Sequence, residues 1–205
     1  LPKRGLIVDL CAGNGAVGLF ASTRTQAQIL AVEIQERLAD MAQRSIELND
    51  LAQQMQVIHD DLKNLGNHIS GSKVDFILCN PPYFKVDEHS NLNGSEHYLL
   101  ARHEVATNLE EICTIAQRVL KSNGRLAMVH RPDRFLDILE TMKGHNLAPK
   151  RIQFVYPKKG REANMLLIEA IKDGSPDGLK ILPPLFIHEQ DGSYTPEIQE
   201  IYYGK

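Results

Sequence analysis

Short apolar runs alternate with longer segments of helical spacing along most of the chain. A run of four to eight apolar residues is typical of a strand buried on both faces of a parallel sheet, and apolar residues at every third or fourth position are typical of a helix. The pattern therefore predicts seven strands, at 5–10, 29–33, 55–59, 74–78, 125–130, 151–156 and 164–171. It predicts helices over 16–25, 35–51, 107–121 and 133–144, the last capped by Asp133, and a short helix followed by a polar turn over 63–72. This alternation indicates an α/β fold: a mostly parallel sheet with an antiparallel last strand and helices on both faces.

The chain changes character at residue 172. We expect one α/β domain over 1–171 and a C-terminal extension over 172–205, joined by a linker rich in Gly, Pro, Ser and Asp. Within the extension, two candidate strands flank a turn-forming segment. They predict a β-hairpin whose strands and turn are 181–188, 193–197 and 189–192.

A loop rich in glycine follows the first predicted strand. Gly13-Asn14-Gly15-Ala16-Val17-Gly18 formally matches the G-x-G-x-x-G pattern of dinucleotide-binding proteins. A single match of that kind is weak, so an NAD-dependent dehydrogenase is only one alternative, and no catalytic acid or base for it stands out. Asp9, four residues before the first glycine, places negative charge near the loop. That charge favours a cationic ligand over a pyrophosphate bound at the helix N-terminus.

Polar side chains lie at or just beyond the ends of four predicted strands: Asp9, Glu33, Asp61 and Asn80. The carboxyl ends of the strands are where open α/β sheets bind ligands. Glu33 is placed to accept both hydroxyls of a ribose, which serves NAD proteins as well as other adenosine-binding proteins. Asp60 and Asp61 also fit the N-terminal cap of a short helix. The ordered set of four is more specific than any one member.

Asn80-Pro81-Pro82-Tyr83 ends the fourth strand abruptly, because proline donates no ladder hydrogen bond and restricts the residue before it. The Asn80 amide oxygen and the Pro81 carbonyl oxygen are two acceptors on a stiff turn, suited to the two hydrogens of an exocyclic NH2 group. Tyr83 offers a ring on which a flipped base can stack. These features indicate methylation of a planar amine. A purely structural strand terminator is the alternative.

The net charge of −3 is unevenly distributed. Residues 118–161 hold eleven Lys or Arg against three Asp or Glu, a local balance of +8, so the rest of the chain sums to −11. Such asymmetry favours a phosphate-binding face, although solvated helix and loop surfaces also produce it. The loop at 157–161, with Lys158, Lys159 and Arg161, is the candidate clamp on a nucleic-acid backbone.

Cysteine and histidine usage indicates neither disulfides nor a metal site. Cys11, Cys79 and Cys113 have no metal-ligand spacing, and their odd number fits a reduced cytosolic protein.

No apolar window approaches the roughly 20 residues of a membrane-spanning helix, and no signal peptide is recognisable. We expect a cytoplasmic enzyme that requires neither membrane nor metal.

The D-x-x-x-G-x-G pattern from Asp9 to Gly15 resembles the first motif of the class I S-adenosylmethionine (SAM)-dependent methyltransferases, which have a Rossmann-like fold. Asn80-Pro81-Pro82-Tyr83-Phe84, followed by a polar segment over 85–95 and by Ala101-Arg102, resembles the bacterial tRNA adenine-N6 methyltransferases. Those enzymes modify a valine tRNA beside its anticodon. The resemblance covers residues 5 to about 171.

This resemblance implies SAM as the cofactor and tRNA as the partner. It implies that SAM is held by residues of the strand ends and the glycine loop, namely Asp9, Cys11, Gly13, Gly15, Glu33, Asp61 and Asn80. It places the target adenine against Asn80, Pro81, Pro82 and Tyr83. The expected RNA contacts are Phe84, Arg102, Lys158, Lys159 and Arg161. No metal is implied.

Rival substrates remain open for the same motif. Glutamine-N5 methyltransferases of peptide-chain release factors resemble this core joined to a helical domain, and a +8 segment has less purpose there. DNA adenine methyltransferases usually add a target-recognition domain that 205 residues cannot hold. An rRNA amino-methyltransferase is a further enzymatic alternative. A SAM-binding adaptor is the non-enzymatic one, against which the intact Asn80 and Tyr83 argue.

Overall fold

The computed structural model describes residues 1–69, 71, 73–82 and 109–204. Tyr83, Phe84 and Arg102 lie outside these ranges, as does the predicted polar loop at 85–95. The strands in the described ranges are β1 Leu6–Leu10, β2 Gln28–Glu33, β3 Met55–His59, β4 Val74–Cys79, β5 Leu120–His130, β6 Leu147–Lys158, β7 Met165–Lys172, β8 Lys180–Ile181 and β9 Leu185–His188. The α-helices there are α1 Ala16–Ser22, α2 Glu36–Leu48, α3 Leu65–His68, α4 Leu109–Val119, α5 Phe135–Gly144 and α6 Pro196–Tyr203.

The strands form one sheet in the order β3-β2-β1-β4-β5-β7-β6-β8, with β9 also paired to β6. The pairs among β1 to β5 are parallel, and β7 is antiparallel to both of its neighbours. This confirms the predicted mostly parallel α/β sheet with an antiparallel strand near its end. The strand order reverses between β1 and β4, so a crevice opens where these two strands end. Such reversal points are the usual ligand sites of open α/β sheets.

β5 and β6 begin earlier than the apolar pattern predicts. Ser122-Asn123-Gly124, which is typical of a helix end, lies inside β5. The register against β4 shifts there, and Asn123 has a φ of 64°. These are features of a β-bulge, in which a strand continues through turn-forming residues. β6 likewise carries Pro149 next to a register shift against β7, a place where proline is tolerated in a sheet.

Asp133 does not cap α5, so that prediction is wrong. A 3₁₀ turn over Pro132–Arg134 precedes the helix, and Arg134 occupies the cap position without a side-chain capping hydrogen bond; its Nε instead donates to the Asp137 carboxylate at 2.6 Å. The Asp133 carboxylate instead lies 3.1 Å from the Arg131 guanidinium. Pro132 begins the tighter turn because its fixed φ favours the first position of a helical segment.

Two apolar layers cover the two faces of the sheet. Val8 of β1 belongs to the layer formed with α4 and α5, and its neighbour Ile7 belongs to the layer formed with α1 and α2. This division follows from the alternation of side chains along a strand. Both faces of β1 are therefore buried, as a parallel sheet requires. Cys79 and Cys113 are buried in the first layer, and all three cysteines are free thiols.

The C-terminal extension adds strands to the sheet edge. β9 pairs in parallel with β6, with Lys158 opposite His188. Ile198 of α6 packs with Leu185 and Val155 in a third apolar cluster. The extension therefore continues the hydrogen-bonded sheet, and its helix packs in a separate apolar cluster that includes Val155 of β6.

The expected hairpin is reduced to a single antiparallel bridge in the described extension, between His188 and Tyr194. The turn at 189–192 is present, with a hydrogen bond from the Glu189 N–H to the Ser193 carbonyl. Thr195 and Pro196 then start α6, and the Thr195 hydroxyl accepts from the backbone of Ile198. A Thr cap followed by Pro is a strong helix start, which ends the strand pairing. No helix in the described ranges is long and apolar enough to cross a membrane.

Candidate cofactor and methyl-acceptor site

A cavity of about 450 Å³ opens at the carboxyl ends of β1, β2 and β4. Its walls come from the loop after β1, the segments after β2 and β3, and the turn after β4. Seven residues that the sequence singles out line it together: Cys11, Gly13, Glu33, Asp61, Asn80, Pro81 and Pro82. Asp9 and Gly15 do not line it.

Glu33 ties the glycine loop to the end of β2. Its side chain is almost buried, with the residue 5% exposed. Oε2 accepts a hydrogen bond from the Gly13 N–H at 2.6 Å, and Oε1 accepts one from the Gln35 N–H at 2.9 Å. Each carboxylate oxygen can accept about two hydrogen bonds, so each keeps one acceptor position. These two positions suit a vicinal diol such as that of a ribose.

Asp9 is fully buried beneath the loop, so it is not on the cavity wall. Its Oδ2 accepts from the Gly18 N–H at 2.9 Å, and its Oδ1 has no hydrogen-bond partner among the described residues. Burial raises the pKa of Asp9 to about 7, against the lowering by the Gly18 hydrogen bond and with a further contribution from the Glu33 charge. Asp9 lies inside β1, one residue before its end, and its side chain turns toward α1. Its carboxyl group therefore acts on the cavity from below, and it is mostly ionised only above about pH 7.

The other two glycines of the loop pattern have structural roles. Gly15 caps α1 with a φ of 82°, a left-handed conformation that favours glycine. A Cβ at Gly18 would lie 2.5 Å from the Met55 methyl group. Glycine there lets α1 pack closely on the sheet. The G-x-G-x-x-G pattern is thus explained by packing and turn geometry and does not by itself identify a ligand.

Asp60 and Asp61 form the turn after β3. The Asp61 Oδ1 accepts from the Lys63 N–H at 2.9 Å, so Asp61 caps the 3₁₀ turn while it also lines the cavity. Asp60 accepts from Asn64 and lies 2.8 Å from the His68 Nε2. The hydrogen bond from Asn64, followed by that from His68, lowers the pKa of Asp60 to about 2. The cap and the cavity wall are thus two roles of the same turn.

The cavity is acidic. Glu33, Asp60 and Asp61 line it, and no Lys, Arg or His does so within the described part of the chain. A pyrophosphate would meet only like charge here, whereas an ammonium or sulfonium group would be attracted. This favours a cationic nucleoside over a dinucleotide. Over residues 1–69, 71, 73–82 and 109–204, no group of three His, Cys, Asp or Glu could hold a metal ion.

Ile34 is a cavity residue that the sequence pattern did not single out. It directly follows Glu33, lines the cavity and is 48% exposed. An exposed apolar side chain beside a buried carboxylate gives a flat ring a surface to lie on. The sequence signal that could have identified Ile34 as a cavity residue is its position immediately after Glu33, the acid that ends β2.

A second cavity, of about 350 Å³, meets the first at Val17 and Asn80. Its lining is mostly apolar and extends from Asn80 across β5 and β7 to β6. The far end holds Arg151 and Glu169, an ion pair that Arg125 joins. Burial alone would raise the pKa of Glu169, but hydrogen bonds and charges of the two arginines hold it below its ordinary value. Asn80 thus stands between an acidic and an apolar chamber.

Many of the Lys and Arg residues in 118–161 form ion pairs with acidic residues of the same chain. They are Lys121, Arg125, Arg131, Arg134 and Arg151. Among the described residues, none forms an ion pair with Lys158, Lys159 or Arg161. β6 runs in the same direction as β4. β4 is parallel to β5, and β6 is related to β5 through β7 by two antiparallel pairs, which restore the direction. These three cations therefore lie at the same end of the sheet as Asn80, at the carboxyl ends of the strands.

A family model described as the methyltransferase small domain matches residues 1–146. The tRNA1(Val) (adenine(37)-N6)-methyltransferase of Porphyromonas gingivalis is 27% identical over 194 residues, which are 93% of this chain and 75% of that protein. The protein of the same name from Shewanella sp. strain MR-4 is 26% identical over 196 residues, 95% of this chain and 81% of that protein. A solved structure of a predicted O-methyltransferase from Agrobacterium tumefaciens has a TM-score of 0.77 at 26% identity, covering 99% of this chain and 91% of that one.

The matched region runs from β1 through α5 and includes the acidic cavity and the turn at Asn80. Because the match spans well over half of the chain, this chain belongs to the methyltransferase small domain family.

Proposed function

We propose that this chain transfers a methyl group from SAM to N6 of an adenine in tRNA, beside the anticodon of a valine tRNA. The observation that carries the proposal is the acidic cavity that ends at Asn80-Pro81-Pro82, a turn suited to a planar NH2 group. The family supports the reaction class. The names of the Porphyromonas and Shewanella relatives support the substrate.

The donors and acceptors around the cavity fit SAM. Glu33 would accept the ribose hydroxyls with its two remaining acceptor positions. Asp61 would accept from the adenine amino group, Ile34 would lie against the ring, and the loop from Cys11 to Gly15 would approach the amino-acid part. Asp9, with one unpartnered buried oxygen among the described residues, would add negative charge beneath it where its carboxyl group is ionised, above about pH 7. Bound SAM supplies a methyl group made electrophilic by its positive sulfur.

Asn80 and Pro81 would position the attacking amine. The Asn80 amide oxygen and the Pro81 carbonyl oxygen each accept one N6 hydrogen, which turns the nitrogen lone pair toward the methyl carbon. Pro82 stiffens the turn because its ring fixes φ. Tyr83, outside the described residues, is proposed to stack on the flipped adenine.

Proton release follows methyl transfer in this scheme. SAM would supply the methyl group and leave as S-adenosylhomocysteine when its sulfur–methyl bond breaks, and the N6 nitrogen would carry a surplus proton only once its bond to the methyl carbon has formed. That proton is then acidic enough to pass to water, so a strong general base is not needed. Asn80 contributes by orienting the amine and by replacing its hydration.

The RNA backbone is proposed to cross the carboxyl edge of the sheet. Lys158, Lys159 and Arg161 would contact phosphates there, since Lys and Arg supply most phosphate contacts in protein–nucleic acid complexes. Phe84 and Arg102, outside the described residues, complete the proposed contacts.

The proposal is tested by methyl transfer from radiolabelled SAM into separate pools of unmodified tRNA, duplex DNA and a peptide-chain release factor. We expect label in tRNA, recovered as N6-methyladenosine after digestion. A valine tRNA transcript with guanine in place of the adenine beside the anticodon is the matched control, and it should accept no label.

The other outcomes separate the rivals. Label in the release factor or in DNA would keep the reaction class and overturn the substrate, because the same turn accepts the hydrogens of a glutamine amide or of another base. A chain that binds SAM and labels none of the pools would overturn the proposal and favour a SAM-binding adaptor.

A further inference from the structure

Four aromatic side chains form a continuous cluster on the C-terminal extension: His188, Tyr194, Tyr202 and Tyr203, here called the aromatic ladder. His188 and Tyr194 are stacked, with ring centroids 5.1 Å apart and an interplanar angle of 14°. Tyr194 meets Tyr202 edge-on at 5.6 Å, and Tyr202 meets Tyr203 at 6.2 Å. Each ring thus touches the next one along the surface.

The ladder is exposed where aromatic residues are ordinarily buried. Tyr194, Tyr202 and Tyr203 are 40%, 51% and 65% exposed. Single exposed apolar residues are common, but contiguous exposed ones mark binding surfaces. Three neighbouring exposed rings therefore call for a partner with flat, apolar faces.

The ladder is held rigidly before any partner arrives. The Thr195 N–H donates to the Ile187 carbonyl at 3.0 Å, and the Thr195 hydroxyl donates to the Phe186 carbonyl at 2.8 Å. Buried Ile198 anchors the helix that carries Tyr202. A partner that stacks on a preorganised surface loses little affinity to ordering of the protein.

The His188–Tyr194 end of the ladder lies beside the basic loop, at the carboxyl ends of the strands, where Asn80 also lies. His188 is opposite Lys158 in the parallel pair of β9 and β6. The Gln190 Nε2 donates to the Lys159 carbonyl at 3.1 Å. Four strand spacings separate β4 from β9, which amounts to about 19 Å. A few unpaired nucleotides cover such a distance.

Charge on the extension excludes a simple phosphate-binding surface. The exposed acids Glu189, Asp191, Glu197 and Glu200 surround the rings in sequence. They repel a phosphate backbone, whereas base stacking on an aromatic ring needs no charge. Cations for phosphates are supplied by the adjacent loop, and Arg24, whose guanidinium donates to the Ile201 carbonyl at 2.8 Å, is a further cation next to Tyr202. A single RNA segment can bind both surfaces at once, if its unpaired bases stack on the ladder and its phosphates contact Lys158, Lys159 and Arg161.

We propose that the aromatic ladder is a stacking platform for unpaired bases of the RNA substrate, next to the phosphate contacts of the basic loop. The proposal rests on the proposed function, because it identifies which part of the tRNA the extension meets. Single-stranded segments expose their base faces and duplexes do not, so the platform selects a loop over a stem.

The test compares the unaltered chain with the double variant Tyr194→Ala/Tyr202→Ala and with the matched control Tyr194→Phe/Tyr202→Phe. Binding of an unmodified valine tRNA transcript and of a duplex RNA is measured over a series of salt concentrations, together with SAM affinity and the melting temperature. We expect the Ala variant to bind tRNA about 5- to 150-fold more weakly per lost stack, with an unchanged salt slope and unchanged SAM affinity. The Phe variant keeps both rings and should bind like the unaltered chain.

Tyr203→Ala guards against misfolding of the double variant, because Tyr203 is the most exposed ring of the ladder. It should weaken tRNA binding in the same direction without lowering the melting temperature. If the Ala variants bind tRNA normally while the unaltered chain methylates tRNA, the platform is overturned and the proposed function stands. If the unaltered chain binds no RNA, both are overturned. If the variants change only self-association in sedimentation, the surface is a protein contact and the platform is overturned.

Discussion

Asn80 lies where β4 ends and lines both cavities. Asn80→Ala removes one of the two proposed acceptors for the amine but leaves the backbone of the turn. We expect methyl transfer to fall by about 100-fold or more, since misplacing a reacting group by about 1 Å can have that effect. SAM affinity should stay within a few-fold. Single-turnover transfer and calorimetric SAM binding on one preparation check this.

Asn67→Ala is the matched control for that change, because Asn67 is exposed on α3 and lines neither cavity. It should transfer methyl groups at the unaltered rate. Full turnover by the Asn80 variant would remove Asn80 from the proposed mechanism.

Ile34 and Leu48 are exposed aliphatic residues that differ in position. Ile34 lines the acidic cavity, and Leu48 ends α2 away from it at 85% exposure. Ile34→Ala removes apolar area from the proposed adenine surface, so the SAM dissociation constant should rise about 5- to 30-fold, as about 1–2 kcal/mol of lost burial implies. Leu48→Ala should leave it unchanged. Equal affinities of the two variants in calorimetry would contradict a role for Ile34.

Asp9 makes the stability of the protein depend on pH. Its pKa is near 3.9 in an unfolded chain and about 7 in the folded protein. Between these values the folded state holds the extra proton, so the Asp9 contribution makes the free energy of unfolding fall as pH rises from about 4 to about 7, by up to about 1.4 kcal/mol per pH unit. Asp9→Asn should remove this decline. Urea unfolding at a series of pH values measures it.

The exposed Asp40 gives the control for that experiment, since Asp40→Asn changes the same side chain outside the core. Its unfolding curve should follow the unaltered protein at each pH. A decline of the same slope in the Asp9 variant would assign the pH dependence to other groups.

Glu33 and Asn80 could be predicted as cavity residues because each directly follows an apolar run, and Asp61 because it lies just beyond β3 at the place where the family resemblance puts an acid. The end of a parallel strand determines where such a side chain lies. The position of Asp9 could not be predicted in the same way. Whether a residue one place inside the strand reaches the cavity depends on how α1 packs, which Gly18 and Met55 decide together. Ile34 was missed because a lone apolar residue carries no pattern.

At the level of elements, mostly apolar runs predicted β1, β2 and β4 closely, because strands buried on both faces tolerate little else. β3, the edge strand Met55–His59, was predicted from a shorter and partly polar run. The start of β5 was not predictable from local signals. Asn123-Gly124 is typical of a turn, and only pairing with β4 carries the strand through it as a bulge. The same holds for Pro149 in β6.

The end of β6 and the loop that follows it should set the salt dependence of RNA binding. Changing Lys158, Lys159 and Arg161 to Glu removes up to three phosphate contacts, so tRNA affinity should fall steeply and its dependence on salt should flatten. Binding titrations over a range of salt concentrations measure both quantities. Melting temperature should change little, because these side chains form no ion pair within the described ranges.

A second triple variant, matched to the first in its change of charge, alters residues at the opposite end of the sheet, where the strands begin. Lys3 and Arg4 precede β1, and Lys143 lies in the last turn of α5, all exposed. Their replacement by Glu should leave the salt slope as it is. Equal losses in the two triple variants would indicate a net-charge effect and would contradict a localised RNA-binding loop.

At the scale of the whole molecule, the extension shares its core with the domain. Ile198 of α6 is buried against Leu185 and Val155. Ile198→Ala should lower the free energy of unfolding by about 2–5 kcal/mol, the usual range for such a cavity. Ile201, one turn away and 46% exposed, is the control, and Ile201→Ala should change it by less than about 0.5 kcal/mol.

Urea unfolding of both variants measures these differences. A single transition shifted by Ile198→Ala is expected, and an unshifted main transition would mean that the extension unfolds separately. The division of the chain near residue 172 stays a prediction. Local composition indicates a linker there, but whether the following segment docks depends on contacts across the sheet edge.

The pairing of β8 and β9 with β6 also affects whether copies of this chain aggregate through their edge strands. Without them, a strand of 12 residues would end the sheet and present its free backbone groups to any passing strand. β8 and β9 have two and four residues, and Pro183-Pro184 lies between them. Prolines and short edges are poor templates for further pairing. A chain cut before Lys180 would keep its cofactor cavity and lose its protection against strand-to-strand aggregation.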